Sequence, residues 1–192
     1  MMQNIHFKAP NCWINDPNGF IWYKGQYHLF YQCFPYAPQW GRMHWGHAVS
    51  KDLINWEKKG IALYPTKTDD RSGCFSGSAV EQDRTLYLFY TGVNYLEENP
   101  EDINQCRNDQ FLAAQMMISS DDGMTFDNVK RKKTVIPPIT EKQIGSKTNT
   151  RDPKVWRGKD AWYLVLGSSV DHKGRLLIIK AMIFRIGRIS AT

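Results

Sequence analysis

The chain has 192 residues, 42% of them apolar and 13% aromatic, enough for one ordinary domain with a sizeable core. Its formal charge of +6 gathers at 130–133 and in the tail, while acidic residues are interspersed elsewhere. The basic runs therefore read as solvated loops, and a nucleic-acid partner is not expected. The first residues lack the basic and apolar regions of a signal peptide, and no apolar run could span a membrane, which points to the cytoplasm.

The first distinctive stretch is Asn11-Cys12-Trp13-Ile14-Asn15-Asp16-Pro17-Asn18-Gly19-Phe20. It reads as a tight turn that holds the Asp16 carboxylate between aromatic flanks. Pro17 fixes its own φ and biases Asp16 to extended backbone, and Gly19 permits a positive φ. Phe20 to Tyr23 leads through Lys24-Gly25 into Gln26 to Tyr31, a hairpin. Trp45 to Ser50 reads as a third strand and Trp56 to Ile61 as a fourth.

The pattern then repeats. Ser76 to Val80 leads through a polar turn to Thr85 to Tyr90, and Phe111 to Ile118 gives another strand. A third unit runs from Asp152 to Trp156, turns at 157–160, and returns from Ala161 to Gly167. Ser50-Lys51-Asp52-Leu53-Ile54-Asn55-Trp56 parallels 119–126, each an acidic turn before an aromatic. Residues 94–108 and 130–150 read as surface loops, the second joining two units. Four-stranded units of this kind fit β-propeller blades or an antiparallel sandwich, and strand pattern alone leaves these level.

Four cysteines, Cys12, Cys33, Cys74 and Cys106, form no C-x-x-C pair and have no histidine cluster at zinc spacing. They read as reduced, packed thiols, and neither a metal nor a cofactor is expected. His28, His44 and His47 lie among aromatics and read as packed core.

Gln32 within Phe30-Tyr31-Gln32-Cys33-Phe34, Trp40 to Ala48, Phe75-Ser76-Gly77-Ser78 and Arg151-Asp152-Pro153-Lys154 follow the opening motif in order. Over residues 1–178 this set resembles glycoside hydrolase family 32, the invertases, sucrose-6-phosphate hydrolases and fructanases. The resemblance favours the propeller and implies an all-β, five-bladed fold. Only about two to three blades would fit in this chain, without the family's C-terminal β-sandwich.

The resemblance also implies hydrolysis of β-fructofuranosyl linkages of sucrose, sucrose 6-phosphate or a short fructan, with retention. Asp16 matches the nucleophile and Asp152 the transition-state stabiliser. Arg151 would hold Asp152 ionised. Asn15, Gln32 and Ser76 would hydrogen-bond sugar hydroxyls, and Trp13, Trp40 and Phe75 would wall the pocket. Two other readings stand beside this one: an arabinanase- or xylosidase-like glycosidase, and a non-catalytic sugar-binding propeller fragment.

The family's general-acid glutamate follows the Arg-Asp-Pro motif by a few dozen residues. Glu57, Glu81, Glu97, Glu98, Glu101 and Glu141 all lie too early for it. The chain is therefore expected to be truncated and nearly inactive. Residues 179–192 are expected to be an aberrant tail. With one permissible codon choice for 178–187, skipping two bases yields Tyr-Lys-Ser-Asn-Asp-Leu-Ser-His-Trp, much like the element at Ser50 to Trp56, which suggests a frameshift.

Overall fold

The computed structural model describes residues 7, 8 and 11–181. They form three antiparallel sheets in chain order. The first contains β1 (Trp13–Tyr23), β2 (Gln26–Phe34), β3 (His44–Ser50) and β4 (Glu57–Leu63). The second contains β5 (Cys74–Gln82), β6 (Thr85–Tyr95), β7 (Phe111–Ser120) and β8 (Lys133–Ile136). The third contains β9 (Arg151–Arg157), β10 (Trp162–Val170) and β11 (Lys173–Ala181). A single 3-10 turn, Thr68–Asp70, is the only helical element among the described residues.

These sheets are successive propeller blades. Each meets the next through its first strand: β1 packs on β5, and β5 on β9. Gly77 N donates to Asn18 Oδ1 across the first junction at 3.2 Å. Across the second, Ser78 Oγ donates to Pro153 O at 2.7 Å and accepts from Val155 N at 3.1 Å. The first strands therefore lie side by side.

The core fills the two junctions. Phe30, Trp45, Leu86, Leu88, Tyr90 and Ile118 pack between the first and second sheets. Phe89, Met117, Val155, Leu164 and Leu166 pack between the second and third. The middle sheet is thus apolar on both faces, which is why β6 and β7 read as near-continuous apolar runs rather than alternating ones. The outward faces of the end sheets carry exposed Phe20 and Trp22 on one side and Leu176 and Ile178 on the other.

Tight two-residue turns join the hairpins. Lys24 and Gly25, Asp83 and Arg84, and Asp171 and His172 all have positive φ, matching the right-handed strand twist. The two acidic turns are built alike. Asp52 Oδ1 accepts from Ile54 N and Asn55 N, and Asp122 Oδ1 accepts from Met124 N and Thr125 N. Ser50 and Ser120 hold the same place in each, accepting from Leu53 N and Gly123 N.

Several expectations change. Asp16-Pro17-Asn18-Gly19 is not a tight turn; it lies inside β1, paired with β2 across register shifts. Gly19 does take positive φ, 53°, and a Cβ there would meet Phe30 at 3.1 Å. The 130–150 segment holds β8, so it is not all loop. Within the basic run, Lys132 is not solvated: its side chain is fully buried and paired with Asp70 at 2.5 Å. Strand β11 crosses the 178/179 boundary and pairs with β10 as far as Ala181. The rest of the expected aberrant tail, 182–192, lies outside the described residues.

Candidate active site

Each sheet's first strand carries one extra residue near its start, and that residue bears a candidate site group. In β1, Asn15 pairs with Gln32 and Pro17 with Tyr31, leaving Asp16 unpaired. In β5, Phe75 pairs with Thr91 and Gly77 with Tyr90, leaving Ser76. In β9, Arg151 pairs with Gly167 and Lys154 with Val165, so the shift falls at Asp152-Pro153. A bulge re-aims one side chain without breaking the sheet. Because the three strands are neighbours, three bulges aim three groups at one place.

Gly77 shows why the local sequence must be so. A Cβ there would lie 1.9 Å from Phe89 O, so only glycine lets the ladder resume directly after Ser76. Asp152 has φ 62°, the left-handed region that Asp tolerates better than most residues.

A single hydrogen-bond chain joins five of the predicted residues. Trp13 Nε1 donates to Asn15 Oδ1 at 2.8 Å, and Asn15 Nδ2 donates to Gln32 Oε1 at 3.0 Å. Gln32 Nε2 donates to Ser76 Oγ at 2.8 Å, and Ser76 Oγ donates to Asp16 Oδ2 at 2.6 Å. The series fixes every amide orientation and spends the Ser76 proton on Asp16. The Ser76 hydroxyl accordingly holds the Asp16 carboxyl below the ordinary carboxylate range, outweighing partial burial, with a smaller contribution from Asn15.

Asp152 behaves oppositely. Protein crowding pushes its carboxyl up, although its surface is open to water, as in a concave mouth. Arg151 pulls the other way but is outweighed, and the negative charge of Asp16 adds to the rise. The charge of Arg151 does favour ionised Asp152, as expected, but it is not the largest influence on that carboxyl. The Arg151 guanidinium donates instead to Asn149 Oδ1 at 2.5 Å.

Sequence reasoning missed the relay that seats Asp152. Asp152 N donates to Thr91 Oγ1 at 3.0 Å, Thr91 Oγ1 donates to Gln115 Oε1 at 3.0 Å, and Gln115 Nε2 donates to Thr150 O at 2.8 Å. Thr91 and Gln115 are each 1% exposed. Their signal was a lone polar residue inside an apolar strand. Thr91 stands at the register of Gln32, so the second strands of the first two sheets each reach across to the next sheet's bulge.

Trp40 and Phe75 form the aromatic wall, with ring centroids 6.1 Å apart. Beside them opens a cleft of about 390 Å³ that Arg151 also lines. His28 and His47 are buried and stacked in the first sheet, their ring nitrogens 3.0 Å apart. Burial holds His47 down to about 3. Among the described residues no three His, Cys, Asp or Glu side chains converge as a metal site would require, and no helix is long and apolar enough to cross a membrane.

The model of the glycosyl hydrolases family 32 N-terminal domain matches residues 6–183. A sucrose-6-phosphate hydrolase of Zymomonas mobilis is 43% identical over 172 residues, 88% of this chain and 30% of its own length. A raffinose invertase of Escherichia coli is 39% identical over 183 residues, 94% of this chain and 35% of its own. Among solved structures, a variant of the Bombyx mori family 32 β-fructofuranosidase in complex with sucrose superposes with a TM-score of 0.75 at 38% identity, covering 92% of this chain and 34% of that one. The chain thus spans about a third of the length of these relatives. With its blades, its bulged first strands and this match over nearly the whole sequence, the chain belongs to glycosyl hydrolases family 32, in the N-terminal domain of that family.

Proposed function

We propose that this chain supplies the fructosyl-binding side of a glycosidase that cleaves β-fructofuranosyl linkages, sucrose and its 6-phosphate being the leading substrates. The relatives' names span a phosphorylated and an unphosphorylated sugar. The observation that carries the reading is the Ser76 hydroxyl 2.6 Å from Asp16 Oδ2, at the end of a fully oriented hydrogen-bond chain.

An anion held ionised and aimed by a bulge suits nucleophilic attack on an anomeric carbon. Asp16 Oδ would form a bond to that carbon as the glycosidic C–O bond breaks, giving a fructosyl ester. Water then cleaves the ester with overall retention. Asp152, crowded and less acidic, would grip ring hydroxyls as positive charge develops. Asn15 and Gln32 orient the sugar, and Trp13, Trp40 and Phe75 exclude water from its apolar face.

Among the described residues no third carboxyl is hydrogen-bonded into this constellation, and a group that protonates the departing oxygen typically contributes ~10²–10⁴-fold. The test therefore uses a nitrophenyl fructofuranoside, whose leaving group departs without protonation. The expected result is a fructosyl adduct on the peptide carrying Asp16, lost in Asp16→Asn. Fructose binding with no adduct and no nitrophenol release would favour the non-catalytic sugar-binding reading instead.

A further inference from the structure

Asp152 is carried by the third sheet, yet the second sheet holds it. The register between β9 and β10 passes from Lys154 to Arg151 and leaves Asp152 and Pro153 out. Pro153 has no N–H to give to a ladder. Two hydroxyls of the second sheet take the backbone groups around this gap. Thr91 Oγ1, on β6, accepts from Asp152 N at 3.0 Å. Ser78 Oγ, on β5, donates to Pro153 O at 2.7 Å and accepts from Val155 N at 3.1 Å. The first junction is built in the same way: Asn18 Oδ1 accepts from Gly77 N at 3.2 Å, and Gln32 Nε2 donates to Ser76 Oγ at 2.8 Å. In both junctions the preceding sheet grips the next sheet's bulge from its first and its second strand.

The Thr91 contact has one possible polarity. A hydroxyl has a single proton, and an amide oxygen can only accept. Gln115 Nε2 donates to Thr150 O at 2.8 Å, which turns Gln115 Oε1 toward Thr91. Thr91 therefore gives its proton to Gln115 Oε1 at 3.0 Å and meets Asp152 N with a lone pair. The series leaves the chain at Asp152 N and returns to it at Thr150 O, so it closes a ring around Arg151. Thr150 is itself anchored: its hydroxyl donates to Ser146 O at 2.6 Å and lies 2.7 Å from Ser168 Oγ. Thr91, Gln115 and Thr150 are all buried, where an unpaired polar group is expensive, so no link of the ring slips without cost. What the ring fixes is direction. Asp152 has φ 62°, and with its N–H and φ both set, the line from Cα to Cβ has one orientation. Asp16 lies near enough for its charge to bear on the carboxyl so aimed.

We infer that Thr91 and Gln115 are positioning residues of the proposed fructosyl site: they hold residue 152 in left-handed backbone through its N–H and thereby aim its carboxylate at the sugar ring. The inference rests on the reading of the preceding section and adds to it two residues of the second sheet that act through Asp152. Asp16 is placed independently, by Ser76 and the chain of bonds back to Trp13. The two aspartates are thus aimed by separate networks, and a break in one leaves the other in place.

The test uses the 192-residue chain, with tryptophan fluorescence for fructose binding, carboxyl ¹³C signals for the two aspartates, and urea denaturation to show that each variant is folded. Thr91→Val keeps the shape and removes the hydroxyl. It is expected to weaken fructose binding about tenfold, as for one hydrogen bond lost between a charged group and the sugar. It should also move the Asp152 signal and leave that of Asp16 in place. Thr91→Ser keeps the hydroxyl and is expected to bind as the parent does. Gln115→Met, which frees the Thr91 proton, is expected to lose less than Thr91→Val and serves in its place if Thr91→Val does not fold. In an Asp152→Ala background there is no carboxylate to aim, so Thr91→Val should cause no further loss. Parental affinity in the folded relay variants, failure of Thr91→Ser to bind as the parent does, or the same loss with and without the Asp152 side chain would overturn this inference and leave the fructosyl site standing. A parent chain that takes no fructose would overturn the fructosyl reading and this inference with it.

Discussion

Asp16 and Asp152 hold the same place in two different sheets, yet the protein treats them oppositely. Each falls at a bulge in a first strand. Asp16 sits in extended backbone, and the Ser76 hydroxyl lowers its carboxyl. Asp152 takes left-handed backbone and is tied through its N–H to Thr91, and crowding raises its carboxyl. The bulge decides where a carboxylate points. What stands opposite, a hydroxyl or packed protein, decides how firmly it keeps its proton.

The largest expected effect tests the backbone half of this contrast. At position 152 an L-residue in left-handed geometry costs ~1–2 kcal/mol, so Asp152→Gly should be more stable than Asp152→Ala by about that amount. At position 16 the order inverts, because glycine in a strand loses roughly 0.5–1 kcal/mol to alanine. Urea denaturation of the four variants reads both differences, and the same sign at both positions would break the comparison.

Ser76→Ala comes next. It removes a hydrogen bond to a charged group in a water-open setting, worth about 1 kcal/mol at neutral pH. Carboxyl ¹³C titration should show Asp16 moving up toward the ordinary range. An unmoved Asp16 would mean that the hydroxyl is not what holds it ionised.

The smallest effect is in the pH profile of stability. Asp152 binds its proton more tightly folded than unfolded, so its contribution is present below the ordinary 3.8 and is lost as pH rises through its raised value. Asp16 has the opposite sign: its contribution is present above 3.8 and lost as pH falls through its lowered value. Asp152→Asn should therefore gain on the parent chain as pH climbs from 3.8 to 7. His47, held to about 3, makes both proteins lose stability as pH falls below 6.5, and the difference between them cancels it. A difference of reversed sign would contradict the raised Asp152.

Several of the proposed site residues that the structure links were legible from their chemistry and their order along the chain. Trp13, Asn15, Asp16, Gln32 and Ser76 form one hydrogen-bond chain. The local shape was less legible. Asp-Pro-Asn-Gly has strong turn propensity, but pairing with β2 absorbs it as bulges, a tertiary effect that no window of ten residues contains. Thr91 and Gln115 were hidden because a buried hydroxyl and amide in apolar strands look incidental until their partners are known. Strand β8 is only four residues, Lys133–Ile136, and follows a basic run, so periodicity had little to read.

Lys132 shows what such a misreading conceals. Its ammonium touches Asp70 at 2.5 Å and also bonds Tyr64 O, while Tyr90 OH donates to the same carboxylate at 2.8 Å. An ion in so dry a place is tolerable only with its counterion present. Asp70 precedes its mate by 62 positions, and Thr66 N, Lys67 N and Tyr90 OH also donate to its carboxylate at the seam where the first two blades meet. Closing that seam thus takes both the segment between the first two blades and the lead-in to β8, so the two blades share one dry ion pair.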